Sequence, residues 1–333
     1  MDYTIKEIAE RADVSIATVS RALNNDKRVK ASTKALVVSI AREFNYRPNI
    51  LARNFVRRKS NIIGLIMPDI VDEFFTEVIK GVESVAHSGG YFTLVASTHS
   101  REGSLLETLA AFTHRRMVDG LILLTTNLSP AIKKGLSESG IPVVVIGENP
   151  ELKETDVIAI DNYQGAYSLV SHLINKKGYT KIAHIAGPPE NSDAVQRKQG
   201  YLQAHQDHGL TVNPHWIVDG AFTIPSGEAA FRRLMSLIQK PEAIFAANDM
   251  MAIGCYEGAD SFGLSIPEDV AVAGFDDIFV SRFLSPRLMT VGVPIAEVGK
   301  TAATLLLDRM NSESHIASRL VTISTGMVLG QSS

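Results

Sequence analysis

From Ile62 onward, short apolar runs alternate with amphipathic stretches of helix length, and the alternation starts again after Asp161. The runs "NIIGLIM", "GYFTLVAST", "VDGLILLT", "IPVVVI" and "TDVIAI" read as strands, with helices predicted from Phe74 to Ser88 and from Gly103 to Arg116. "KIAHIAG", "PEAIFAAND" and "VAVAGFDD" carry the same pattern through the second half. Strands separated by helix-length segments argue for parallel sheets with helices on both faces. One core rarely grows beyond about 250–300 residues, and this chain has 333. The expected fold class is therefore α/β, with two doubly wound subdomains behind a smaller N-terminal module. Ligands of such sheets sit beyond the carboxyl ends of the strands, so a cleft between the halves is the place to look for a site.

The first 60 residues follow a different pattern. In "TIKEIAERADVSIATVSRALNN", Thr4 and Glu7 have the spacing of a capping box, and Ile5, Ile8, Ala9 and Ala12 recur on one helical face. Asp13 and Val14 break that pattern, Ser15 suits the N-cap of a second helix, and Val19, Ala22 and Leu23 supply its inner side. A third helix is predicted from Ser32 to about Phe44, with Leu36, Val37 and Ile40 inward. Two short helices about a tight turn, backed by a third, form the helix-turn-helix arrangement. Residues 1–60 hold thirteen Lys and Arg against six Asp and Glu, a balance of +7 on a chain whose net charge is -3. A basic head on an acidic body points to a polyanion partner for the head alone.

In helix-turn-helix geometry the start of the second helix enters the major groove of DNA. Ile16, Ala17, Thr18 and Arg21 lie opposite Val19 and Leu23, and Arg21 can make paired bonds to guanine. Ile16 and Ala17 offer apolar contact, whereas Thr4, Ser15, Thr18, Ser20 and Asn24 suit phosphates. The plainer alternative is a three-helix interaction module with an exposed arginine.

At "NYRPNILARNFVRRKSNIIGLIMPD", from Asn45 to Asp69, the chain resembles the lactose-repressor (LacI/GalR) family of transcription regulators. "VSIATVSRALN" resembles that family's recognition helix, "NYRPN" its link to the hinge, and "LARNF" its hinge helix. The likeness continues through "VDGLIL", "IAIDN", "AANDMMAIG", "IPEDVAVAGFDD" and "LMTVGVPIAEVGKTAATLLL". It implies a homodimeric regulator, expected to be a repressor, with double-stranded operator DNA and a small sugar-like effector as partners. The implied division is a head and hinge over 1–60 and a sensor over 61–333. Within the sensor, one subdomain spans about 61–161 and 292–321, the other about 162–291 and 322–333. Asn49, Ala52, Arg53 and Phe55 fall where the family's hinge meets the minor groove, and Phe55 replaces the family's wedging leucine. An aromatic ring can also open a base step. Arg57 and Arg58 either approach phosphates or belong to a solvated linker.

The resemblance places Arg197, Asn248 and Asp276 where the family holds sugar hydroxyls, and Phe222 where it has an aromatic wall. Strand ends add Asp69, with Phe74 and Phe75 close by in sequence. Polar groups for a ring's edge and aromatics for its faces suit a hydroxylated ring. Each aspartate could instead cap a helix, as expected for Asp249 and Asp277, and Arg197 could form a surface ion pair. Gly147 and Val293 stand where relatives often carry polar residues, so a more apolar pocket than a monosaccharide site is expected.

Other readings have weaker support. "PIAEVGKT" imitates a phosphate loop, but proline replaces its first glycine, and the run leads into an amphipathic helix. His205 and His208 lack further metal ligands in sequence, and "HQDH" reads as a solvated helix face. The lone Cys255 sits in an apolar helical run and reads as a buried thiol. No run reaches the ~20 residues of a membrane span, and no signal-peptide pattern opens the chain. The expectation is a cytoplasmic regulator with no cofactor, no catalytic residues and no membrane partner. The rival is a cytoplasmic solute-binding or sugar-modifying protein with a helix-turn-helix interaction module. The ending "MVLGQSS", without a heptad tail, favours a dimer over a tetramer.

Overall fold

The computed structural model describes residues 4–46, 59–70, 72–99, 101–114, 117–147, 151–312, 314 and 316–333. The chain divides into two compact units, Met1–Ser60 and Asn61–Ser333. In the first, α1 is Ile5–Arg11, α2 is Ile16–Leu23 and α3 is Ala31–Glu43. The capping box forms at Thr4: its amide donates to the Glu7 carboxylate at 2.6 Å, and its hydroxyl accepts from the Glu7 amide. Asp13 takes φ 52° in the turn, and Ser15 caps α2 by accepting from the Thr18 amide at 3.1 Å. Ile8, Ala9, Ala12, Val19, Ala22, Val37, Ile40 and Ala41 form the core.

One expectation fails in this unit, because Leu36 is 47% exposed. The inward stripe of α3 runs through Val37, Ile40 and Ala41. Leu36 lies to the side of that stripe, on the solvent-facing part of the helix.

The second unit holds two six-stranded sheets. The first takes β1 (Ile62–Met67), β2 (Phe92–Ser97), β3 (Gly120–Thr125), β4 (Val143–Gly147) and β5 (Thr155–Ile160), together with β11 (Leu320–Ile323). Its order is β11-β5-β4-β3-β1-β2. The second takes β6 (Ile182–Ala186), β7 (Ile217–Asp219), β8 (Ala243–Ala246), β9 (Ala271–Asp276), β10 (Met289–Gly292) and β12 (Gly326–Val328), in the order β12-β10-β9-β8-β6-β7. The pairings are parallel apart from β10 with β12, which is antiparallel. β7, β10, β11 and β12 escape a reading based on apolar runs, because strands of three or four residues carry little periodicity; β8, equally short, is read because all four of its residues are apolar and buried.

Helices α4 (Glu73–Ser88), α5 (Glu102–His114), α6 (Pro130–Ser137) and α11 (Ile295–Asn311) belong with the first sheet. Helices α7 (Asn162–Asn175), α8 (Ser192–Asp207), α9 (Ile224–Met235) and α10 (Asp249–Phe262) belong with the second. The chain passes between the subdomains after β5, after β10 and between β11 and β12. Helices α4 and α11 touch backbone to backbone: a Cβ at Gly81 would meet the Ala296 carbonyl at 2.2 Å, and one at Gly299 the Val78 carbonyl at 2.3 Å. Gly299, Lys300 and Thr301 therefore lie within a helix, Gly299 at the contact with α4 and Lys300 on the exposed side beside Glu297, and the phosphate-loop imitation is accidental.

Candidate functional site

On α2 the exposed side chains are Ile16, at 48%, Ala17 and Arg21. Arg21 makes no ion pair among the described residues. The polar groups around it are already engaged locally. The Ser15 and Thr18 hydroxyls lie 2.9 Å apart, the Asn24 amide donates to the Ser20 carbonyl at 2.7 Å, and Thr4 is held in its capping box. The outward face thus presents one exposed guanidinium, near enough to Asp26 to interact with its charge, between small and apolar groups. Asn49, Ala52, Arg53 and Phe55, with Arg57, Arg58 and the expected hinge helix, lie outside the described residues.

In the second unit, Asp69, Phe74, Phe75, Arg197, Phe222, Asn248 and Asp276 line one cavity of about 450 Å³ between the two sheets. Arg197 on α8 is 4% exposed, so it does not form a surface ion pair. Its Nε donates to Asn162 Oδ1 at 2.8 Å, its Nη1 donates to the Ala247 carbonyl at 2.5 Å, and its Nη2 lies 3.2 Å from Asp276 Oδ1. The guanidinium carbon sits 3.8 Å above the centre of the Phe275 ring. Asp276 ends β9 at φ 114° and is 6% exposed. Burial pushes its carboxyl up to about 7; Arg197 draws it down, while Asp72 and Asp193 push it further up.

Asn248 caps α10, accepting from the Met251 amide at 3.0 Å and donating to the Phe222 carbonyl at 3.2 Å. The two aspartates expected as caps do other work. Asp249 lies one position inside the helix and is fully buried; it accepts from Thr290 Oγ1 at 2.5 Å and from the Ile278 amide at 3.0 Å. Asp277 pairs with Arg282 at 3.0 Å. The asparagine takes the cap because its carbonyl oxygen accepts the orphan amide while its amide still donates.

The aromatic walls are held from both subdomains. Phe74 and Phe75 open α4 edge to face, with ring centres 5.5 Å apart. Phe222 has φ 59°, and its ring fills the space over Gly187, where a Cβ would come within 2.2 Å. Hydrogen bonds also link the subdomains. Asn191 Nδ2 donates to Thr126 Oγ1 at 2.8 Å, the Ser192 amide to the Thr126 carbonyl at 3.2 Å, and the Phe279 amide to the Glu73 carboxylate at 2.5 Å.

Gly147 lines the cavity at φ 114°, and a Cβ there would meet the Thr125 carbonyl at 2.2 Å. Val293 is buried and does not line it. Losing these two polar positions does not leave the cavity neutral, because Asp69, Asp72, Glu102, Glu190, Asp193 and Asp276 all border it against Arg101 and Arg197. Asp72 and Asp193 escape a sequence reading since both sit at helix starts, Asp72 capping α4 and Asp193 in the first turn of α8, where acids are ordinary.

His205 corrects the solvated-face expectation. It is 1% exposed, with Nδ1 2.9 Å from the Tyr201 carbonyl, because α8 is covered by α7 on that side. His184 stacks between Tyr201 and Phe245, and burial lowers it to about 3. Cys255 is fully buried, which pushes its thiol up. Among the described residues no group of three His, Cys, Asp or Glu could hold a metal ion, and no helix is long and apolar enough to cross a membrane.

Comparison with known proteins bears on both units. Residues 4–49 match the model of bacterial regulatory proteins of the lacI family, and residues 170–333 match a periplasmic binding protein-like domain. The chain is 37% identical over 320 residues to the HTH-type transcriptional repressor CytR of Escherichia coli K12, covering 95% of this chain and 92% of the relative. Among solved structures, the complex of the transcriptional regulator CelR with cellobiose superposes with a TM-score of 0.76 at 28% identity, over 99% of this chain and 100% of that one. The lac repressor dimer bound to operator and the anti-inducer ONPF superposes with a TM-score of 0.86 over 100% of this chain and 99% of that one; at 23% identity it speaks for the fold alone.

Proposed function

The chain belongs to the lacI family of bacterial regulatory proteins, and from that premise we propose a sequence-specific transcriptional repressor that binds a two-fold operator as a homodimer under the control of a small effector. The observation that carries the effector half of this reading is the convergence of Arg197, Asn248, Asp276 and Phe222 on one cavity between two sheets. For the DNA half it is the exposed guanidinium of Arg21 on a helix whose opposite side, Val19 and Ala22, is fully buried. One short helix makes few base contacts, and a two-fold dimer doubles them over a palindrome.

In this reading residues 1–60 are the head and hinge, and 61–333 the sensor. Ser15, Thr18, Ser20 and Asn24 position the head on phosphates, Arg21 reads a base, and Phe55 of the hinge wedges into the minor groove. The effector acts by preferring one arrangement of the sensor halves, and it can shift the equilibrium only by the difference in its affinity for the two. The bonds from Thr126 to Asn191 and from Glu73 to Phe279 join the halves and would have to rearrange. The polypeptide acts in the cytoplasm, beside the DNA, and performs no catalysis.

Selection of bound duplexes from a random library, followed by footprinting, tests the proposal. A two-fold symmetric consensus is expected. Enrichment of no sequence over bulk DNA would refute it.

A further inference from the structure

Six carboxylates and two guanidiniums border the effector cavity. The better buried guanidinium is already committed, since each of the three nitrogens of Arg197 has a partner oxygen and the ring of Phe275 covers its flat face. Little of its charge is left for an incoming group.

The carboxylates beside it are less fully engaged, although Asp72 already accepts from the Phe74 amide at 3.0 Å as the cap of α4. Asp193 accepts no hydrogen bond among the described residues, and burial raises its carboxyl with only Arg197 drawing it down. Asp276 is nine-tenths buried, and its Oδ1 faces Arg197 at 3.2 Å without hydrogen-bond alignment from any donor. Asp72 stands near enough to raise Asp276 further. Three acids therefore share one saturated arginine.

Enclosing such a cluster around a ligand strips water from the carboxylates, which is unfavourable unless the ligand supplies charge and donors. A phosphate or carboxylate on the ligand would add repulsion. A neutral polyol brings donors but leaves the charge uncompensated. An ammonium brings three donors and a compact positive charge, and aromatic faces such as those of Phe74, Phe75 and Phe222 favour a cation beside them.

We propose that the effector is a hydroxylated ring bearing a primary ammonium, held by Asp193 and Asp72 beside the Arg197–Asp276 pair, and that phosphorylated and carboxylated rings are rejected. This rests on the reading that the effector occupies this cavity. Asp193 is then the residue that decides the charge of the ligand.

The test uses the full chain and calorimetry with matched compounds: glucosamine, galactosamine, mannosamine and 2-deoxystreptamine, with each hexosamine's parent hexose, N-acetyl derivative and 6-phosphate. At least one free amine should bind about tenfold or more tighter than its parent hexose and N-acetyl derivative, the change expected of one close charge pair, and the 6-phosphates should not bind. Asp193→Asn should remove most of that preference while a shared hydroxyl framework still binds. Failure of every amine, or equal or tighter binding of a neutral or phosphorylated compound, overturns the proposal. If a neutral compound binds and Arg197→Ala abolishes its binding, the cavity reading survives and only the amine is wrong. If an amine binds Asp193→Asn and Arg197→Ala as tightly as the parent chain, both readings fall.

Discussion

On α2 of the head, Ile16 is 48% exposed and Arg21 projects into solvent, whereas in the cleft Arg197, Asn248 and Asp276 are 4–6% exposed and tied to backbone and side chains around them. The head's outward side chains can change without disturbing the eight-residue core beneath them. The cleft's polar side chains are part of the packed interior, so a change in what they recognise is also a change in stability. Specificity for a polyanion can sit on free side chains because the phosphates supply most of the affinity. A small ligand offers no such reservoir and needs groups held in advance.

That contrast can be broken by substitution. The largest effect is expected for Arg197→Ala at a pH above about 7, where Asp276 is ionised: it loses its partner beside Asp72 and Asp193, and the Asn162 and Ala247 oxygens lose their donor. Loss of one partner of a buried pair is worth about 3–5 kcal/mol. Urea unfolding should show a drop in that range together with loss of effector response. A drop below about 0.5 kcal/mol would mean that the pair is no tighter than a surface contact.

Next in size is a pH effect at the same pair. The folded carboxyl of Asp276 is raised to about 7 by burial, against roughly 4 in the unfolded chain. Between those values the folded state keeps a proton that the unfolded state has released, so this group's contribution to stability falls as pH rises through about 7. The charged groups near it are Arg197, Asp72, Asp193 and the buried Asp249, which it raises in turn. Melting curves of the parent chain and Asp276→Asn should diverge between pH 5 and 8, with the parent losing ground as pH rises. Parallel curves would show that Asp276 stays ionised.

Smaller, and of a different kind, is the effect of Arg21→Ala. Discrimination at one base pair of each half-site should fall by about 1–3 kcal/mol, with folding stability within about 0.5 kcal/mol of the parent. Equal weakening on operator and random duplexes would reduce Arg21 to a phosphate contact. The smallest expected change is Ser15→Ala, which removes the α2 cap at a cost of about 1 kcal/mol. Thermal unfolding of the head should register it, and an unchanged melting temperature would mean that solvent caps the helix equally well.

The alternation of helices with eight of the twelve described strands, the capping box at Thr4, the cap at Ser15, and the burial of Val19, Ala22 and Cys255 were legible from sequence. They depend on neighbours within one helical turn or on apolar runs, and such rules act over a few residues. Leu36 and His205 show their limit. Which side of α3 is inward is settled by its contacts with α1 and α2, and α8 buries His205 against α7 while Gln206 and Asp207 stay exposed.

In the cleft, the same distinction separates residue types from their electrical state. Arg197, Asn248, Asp276 and Phe222 could be nominated from sequence, but their assembly on one cavity needed three chain crossings between two sheets. Only the tertiary structure decided that Asn248 and not Asp249 caps α10, that Asp249 is sealed against Thr290, and that Arg197 is spent on Asn162, Ala247 and Asp276. The excess of carboxylates over free cations was also hidden, since Asp72 and Asp193 look like ordinary residues at helix starts until the fold sets them beside Asp276. Charge compensation is a sum over groups brought together from distant strands at low dielectric, and no window of sequence contains that sum.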